Sequence, residues 1–229
     1  PDINHPDMRP YSFADMVEAY GEQIRGVIDG GADIIQIETC FDALNTKAAL
    51  YALEKISPDG SFPAIVSVSV NDKSGRTLTG QTVRAFYTSV SHYPLLAFGL
   101  NCSLGAEDLM PLVKEVSEFA ECAVICYPNA GLPNEMGGYD ETPEEMALQV
   151  RKMAESGIIN IIGGCCGTTP AHIAAISEAI KDIRPRKTDA GTGIDKTLTV
   201  SGLEPISIDL KNSNFTNIGE RTNVAGSRK

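Results

Sequence analysis

Five times along the chain a short β-branched run is followed by a stretch of helically spaced apolar residues, and this alternation limits the fold more than any other feature. The strand-like runs begin at Asp33, Ala64, Leu95, Cys122 and Ile158, so successive units are about 27 to 36 residues long. That is the length of a strand plus the crossover helix that a parallel neighbour requires. Strands are expected over 33–38, 64–70, 95–100, 122–127 and 158–162, and helices over 12–30, 43–56, 81–91, 106–119, 143–156 and 170–182. In the first helix Phe13, Met16, Val17, Tyr20, Ile24, Val27 and Ile28 share one face, with Ser12 as N-cap and Gly30-Gly31 as the stop. Thr142-Pro143-Glu144-Glu145 and Thr169-Pro170 place a capping Thr before a Pro at the first helical position. Two architectures accept the pattern, an open doubly wound sheet or part of an eight-unit (β/α)8 TIM barrel. Periodicity does not choose between them.

Beyond residue 184 the alternation stops, and Pro185, Gly191, Gly193, Gly202 and Pro205 punctuate the chain. The expected organisation is a barrel portion over 1–187, an interdomain linker able to lie against the surface over 188–212, and the start of another domain over 213–229. Of the 229 residues, 42% are hydrophobic, enough for a packed core. Nineteen Lys and Arg against 30 Asp and Glu give a net charge of −11, which excludes the basic footprint that nucleic acids or anionic membranes require. No run of about 18 apolar residues is present, so no membrane span is expected. Pro1-Asp2-Ile3-Asn4-His5-Pro6 has neither a basic nor an apolar region, so it does not read as a secretory signal. The first residue is Pro1 rather than Met, and the chain reads as an excised piece of a cytoplasmic protein.

Six cysteines carry the chemical signal. In a reducing compartment they serve as metal ligands, nucleophiles or core residues rather than as disulfides. Cys122 and Cys126 fall in a buried strand and Cys40 follows one, so all three are read as packing groups. Cys102 follows the third strand and Cys165-Cys166 follow the fifth. Carboxyl ends of parallel strands converge on one ligand site in either candidate fold. A vicinal pair bridges only with strain, whereas three thiolates can fill three corners of a metal tetrahedron and leave the fourth open. A redox role and a purely structural role remain open on the residues alone. His172 lies one turn into a helix and is expected to point away from the strand ends; His5 and His92 have no partner spacing. The loop 71–77 lacks the glycine spacing and the Lys-Ser or Lys-Thr of a phosphate cradle.

Gly163-Gly164-Cys165-Cys166-Gly167-Thr168-Thr169-Pro170-Ala171-His172-Ile173, with Gly99-Leu100-Asn101-Cys102-Ser103, resembles the zinc signature of homocysteine S-methyltransferase domains. Ile37-Glu38-Thr39 and Tyr127-Pro128-Asn129-Ala130-Gly131 extend the resemblance over about residues 1–187. Those domains are (β/α)8 barrels, so the resemblance implies a partial TIM barrel with about five of eight strand–helix units. A second segment, Asn217-Ile218-Gly219-Glu220-Arg221-Thr222-Asn223-Val224, resembles the opening of the pterin-binding domain in the cobalamin-dependent methionine synthase family. Betaine- and S-methylmethionine-dependent relatives share the zinc barrel without that domain.

The resemblance implies zinc held by Cys102, Cys165 and Cys166, with no catalytic residue beyond that site. Glu38 would hold the ammonium of homocysteine, and Asn129 would meet zinc or substrate. Methyl transfer would proceed from methylcobalamin to homocysteine, giving methionine. Methylcobalamin would be bound by a cobalamin domain elsewhere in the parent protein and remethylated from 5-methyltetrahydrofolate. The competing readings are a homocysteine methyltransferase using betaine or S-methylmethionine, and a non-catalytic zinc or redox module. Five strands do not close an eight-stranded barrel, so the piece alone is expected to be poorly soluble or to associate with itself.

Overall fold

The computed structural model of the chain describes residues 8–188 and 197–216. In chain order the elements are α1 (Phe13–Asp29), β1 (Ile35–Cys40), α2 (Ala43–Ile56), β2 (Ala64–Val68), α3 (Val83–Val90), β3 (Leu95–Gly105) and α4 (Ala106–Phe119). There follow β4 (Ala123–Asn129), α5 (Pro143–Glu155), β5 (Ile161–Ile162), α6 (Pro170–Ile180), β6 (Thr197–Ser201) and β7 (Pro205–Asp209). Helix starts follow the side-chain chemistry of their first turns. Ser12 and Asp15 form a reciprocal capping box on α1, and Thr142 and Glu145 form another on α5. Among the described residues no helix is long and apolar enough to cross a membrane.

The first five strands form one parallel sheet in the order β1-β2-β3-β4-β5. A doubly wound sheet reverses its strand order at a switch point, and this one never does. The architecture is therefore part of a TIM-barrel-like α/β fold. Register across the sheet separates two faces. Val66, Phe98 and Val124 align, as do Val68, Leu100 and Cys126, and they pack with Leu50, Leu53, Phe86, Leu109, Val113 and Val116 of the helices into the main core. Ser67, Gly99 and Ile125 align on the opposite, inner face, where the apolar cluster is small: Ile65, Ala97 and Ile125. Gly99 brings the two central strands close together. A Cβ there would stand 1.8 Å from the Ile125 carbonyl oxygen, so no larger residue fits that backbone.

Beyond shifts of a few residues at element ends, three differences change the architecture. β3 continues to Gly105 rather than stopping at Leu100, because a register shift between Asn101 and Gly105 lets the chain rejoin β4 at Asn129. β5 is reduced to Ile161–Ile162, which pair with Ile125 and Cys126 of β4. The stretch read as a linker holds an antiparallel hairpin, β6 with β7 around the Gly202-Leu203-Glu204 turn. Its period-two signal (Leu198, Val200; Ile206, Ile208) spans only five residues per strand and escapes a search for helix-length periodicity. The hairpin lies on α3: the Thr82 N–H donates to the Leu203 carbonyl at 3.0 Å, and the Ser89 and Ser201 hydroxyls meet at 2.8 Å. The segment resembling a pterin-binding domain, 217–224, lies outside the described residues, as does His5.

Candidate metal centre

Cys102 reaches the site through the irregular end of β3. Its φ is 62° and that of Ser103 is 65°, while Thr39 at the end of β1 has φ 57°. Left-handed backbone at a non-glycine residue costs roughly 1–3 kcal/mol and persists only where the surroundings enforce it. Here side chains do so. The Ser103 hydroxyl meets Ser69 Oγ at 2.6 Å, and Asn101 Oδ1 accepts from the Thr39 N–H at 3.0 Å.

Cys165 and Cys166 lie in the loop after β5, which is bonded to the end of β4. The Cys165 N–H donates to the Pro128 carbonyl at 2.8 Å, and the Ala130 N–H to the Cys166 carbonyl at 2.9 Å. Asn129 is buried and its Oδ1 accepts from the Cys166 N–H at 3.2 Å. The loop turns at Gly167, φ 79°, where a Cβ would strike the Tyr139 side chain at 2.4 Å. Tyr139 thereby closes over the cysteine loop from the β4–α5 connection.

These two loops bring three sulfurs together. Cys102 Sγ lies 3.6 Å from Cys166 Sγ, Cys165 Sγ lies 3.9 Å from Cys166 Sγ, and all three fall within 4.8 Å of one another. A disulfide needs about 2.05 Å; all six cysteines are free. Metal–sulfur bonds of about 2.3 Å in a tetrahedron put neighbouring sulfurs about 3.8 Å apart, so the three residues fit one ion. Burial, and then the neighbouring Cys102 and Cys166, pushes the Cys165 thiol up to about 12. A divalent cation bound among the sulfurs would favour the thiolate form that metal ligation requires.

Glu38 stands exposed near the carboxyl end of β1, held by Gln36 Nε2 at 3.1 Å. Asn101 links it to the sulfurs: Asn101 Nδ2 lies 3.5 Å from Glu38 Oε1 and 4.0 Å from Cys165 Sγ. Glu38 also lines a cavity of about 400 Å³ between α1, β1 and α2, together with Tyr20, Gln36 and Asn45. None of the three clustered cysteines borders that cavity, so the sulfur cluster and not the cavity marks the chemistry.

The remaining candidates fall away from the cluster. Cys126 is fully buried on the helix face and burial pushes its thiol up, as it pushes Cys40 up to about 11. Cys122 is half-buried and its carbonyl accepts from Arg186 Nη1 at 3.1 Å. His172 Nδ1 accepts from the Thr169 N–H at 3.2 Å, so Nε2 carries the proton and donates to the Glu141 carbonyl at 2.9 Å. Both ring nitrogens are engaged and neither is a ligand. His92 is exposed beside the Ser89 carbonyl. Sequence reasoning gave Asn101 no role of its own; its place immediately before a clustered cysteine at a strand end was the available signal.

The family model of homocysteine S-methyltransferase matches residues 2–180. Among solved structures, the oxidised form of the homocysteine methyltransferase MmuM from Escherichia coli superimposes with a TM-score of 0.57 at 24% identity, covering 71% of this chain and 52% of that one. Its metallated form gives 0.52 at 26% identity, covering 71% and 51%. A monomeric dihydrodipicolinate synthase variant gives 0.51 at 13% identity, covering 74% and 56%, a likeness of fold alone. The chain spans about half the length of the MmuM structures it matches. By the family match over residues 2–180, the chain belongs to the homocysteine S-methyltransferase family.

Proposed function

We propose that this chain activates the thiol of homocysteine for methyl transfer, with zinc held by Cys102, Cys165 and Cys166. The observation that carries the reading is the meeting of those three sulfurs within 4.8 Å at the carboxyl ends of β3 and β5. Three protein ligands leave a fourth position open, the arrangement of a catalytic rather than a structural site. Zinc, when bound by these three cysteines, would supply a Lewis acid for the substrate sulfur, which near pH 7 is otherwise mostly protonated at a free-thiol pKa of about 8.5.

The chain's own residues bind and orient. Glu38 offers a carboxylate for the amino-acid ammonium, in reach of the cluster through Asn101. Asn129 fixes the Cys166 backbone and presents its amide at the same loop. Tyr139 stands against Gly167 at one side of the cysteine loop, where Cys166 remains exposed. The methyl donor in this reading is methylcobalamin, bound by a separate domain and replenished from 5-methyltetrahydrofolate, with methionine as product. The resemblance of residues 217–224 to a pterin-binding domain supports that donor over betaine or S-methylmethionine. The six free cysteines fit a reducing cytoplasm.

X-ray absorption on the zinc-loaded chain tests the site. Addition of homocysteine, or of its selenium analogue, should place a new sulfur or selenium atom in the zinc shell. A shell that substrate leaves unchanged would refute the reading.

A further inference from the structure

Asn101 is fully buried, and its carboxamide is engaged on every side. Oδ1 accepts from the Thr39 N–H at 3.0 Å and from Ser67 Oγ at 2.7 Å. Nδ2 donates to Thr39 Oγ1 at 2.9 Å and faces Glu38 Oε1 at 3.5 Å and Cys165 Sγ at 4.0 Å. The amide cannot be turned over, because the Thr39 N–H is a donor and requires an oxygen opposite it. One side chain therefore grips the backbone N–H and the hydroxyl of the left-handed Thr39, the residue after Glu38, and also reaches a sulfur of the cluster. Its own backbone continues directly into Cys102.

We infer that Asn101 is a positioning residue that sets the distance between Glu38 and the three sulfurs, and so selects amino-acid thiols by chain length. This rests on the proposed function, in which the substrate ammonium meets Glu38 and its sulfur meets the metal. A ligand held at both ends must match a fixed span. Homocysteine and cysteine differ by one methylene, a difference of one carbon–carbon bond or about 1.5 Å. A loose Glu38–Thr39 turn would follow either ligand; a turn held by Asn101 accepts one.

The test uses the full chain loaded with Co2+ in place of zinc, which reports its ligands through thiolate-to-cobalt charge-transfer and d–d absorption. Spectra are titrated with L-homocysteine, L-cysteine and the ammonium-free 2-mercaptoethanol. The unmodified chain should prefer homocysteine over cysteine by about tenfold or more. Asn101→Ala should keep the cobalt–thiolate band and the 2-mercaptoethanol affinity, while the preference falls to within about threefold. If Asn101→Ala fails to take up cobalt, Asn101→Leu decides, since it keeps the bulk of the side chain and removes every hydrogen bond to Thr39 and Ser67. Lost preference with a retained band supports the inference. A retained preference, or cobalt uptake lost in both variants, overturns it and leaves Asn101 with a structural role only. An unmodified chain whose spectrum ignores homocysteine refutes the functional reading, and the inference falls with it.

Discussion

Cys102 Sγ and Cys166 Sγ lie 3.6 Å apart although 64 residues separate them in the chain. The contact joins the irregular end of β3 to the loop after β5, and the β4 segment at Pro128–Ala130 is the splint between them. Two strand ends thus converge on one ion-sized space, with the register shift in β3 between Asn101 and Gly105 turning Cys102 toward it.

Replacing any one of Cys102, Cys165 or Cys166 by Ala should abolish stable metal retention. Elemental analysis after dialysis should find about one zinc per unmodified chain and close to none in each variant, since two thiolates leave the tetrahedron half empty. Cys122→Ala, outside the cluster, should retain its zinc and show only a modest loss of stability. Equal metal loss in all four variants would contradict the ligand assignment.

Gly99→Ala should destabilise the fold by roughly 3 kcal/mol or more, the upper range for overpacking. The obstacle is backbone, the Ile125 carbonyl at 1.8 Å, rather than a side chain able to swing aside. Urea denaturation would read this as a fall in midpoint. The displaced β3 should also weaken metal binding through Cys102, three residues further on.

Much of this arrangement is legible in the chain because two signals act at short range. The bounds of α2 and α4, the Ser12 and Thr142 caps, and the placing of Cys165-Cys166 after a strand all follow from local spacing, whereas Cys102 lies inside the lengthened β3 rather than after it. The sequential strand order does not, since helical periodicity is the same in open and barrel-like sheets; nor does the hairpin of β6 and β7, whose runs are too short to register. The least visible feature is the role of Asn101. Its partners Thr39 and Ser67 lie 62 and 34 residues away, and the left-handed turns at Thr39, Cys102 and Ser103 use residues with no intrinsic preference for them.

His172→Leu should cost about 2 kcal/mol by removing the ring that caps α6 and the bond to the Glu141 carbonyl. It should leave metal stoichiometry unchanged. Thermal melting and elemental analysis on one sample separate the two effects, and metal loss in a folded His172→Leu variant would contradict the assignment of His172 to the scaffold.

Stability should fall in alkali, and Cys40 should carry part of that loss. Burial pushes its thiol from 9.0 up to about 11 in the folded chain. The unfolded thiol ionises first as the pH rises, so the unfolded state binds fewer protons and is favoured. The sign is therefore stability fully present below about pH 9 and lost progressively toward pH 11, with a contribution of up to roughly 3 kcal/mol. Urea denaturation of the unmodified chain and of Cys40→Ala between pH 8 and pH 11 measures it. The variant should start less stable, through the small cavity it leaves, and should decline less steeply; parallel slopes would show that Cys40 ionises equally in both states.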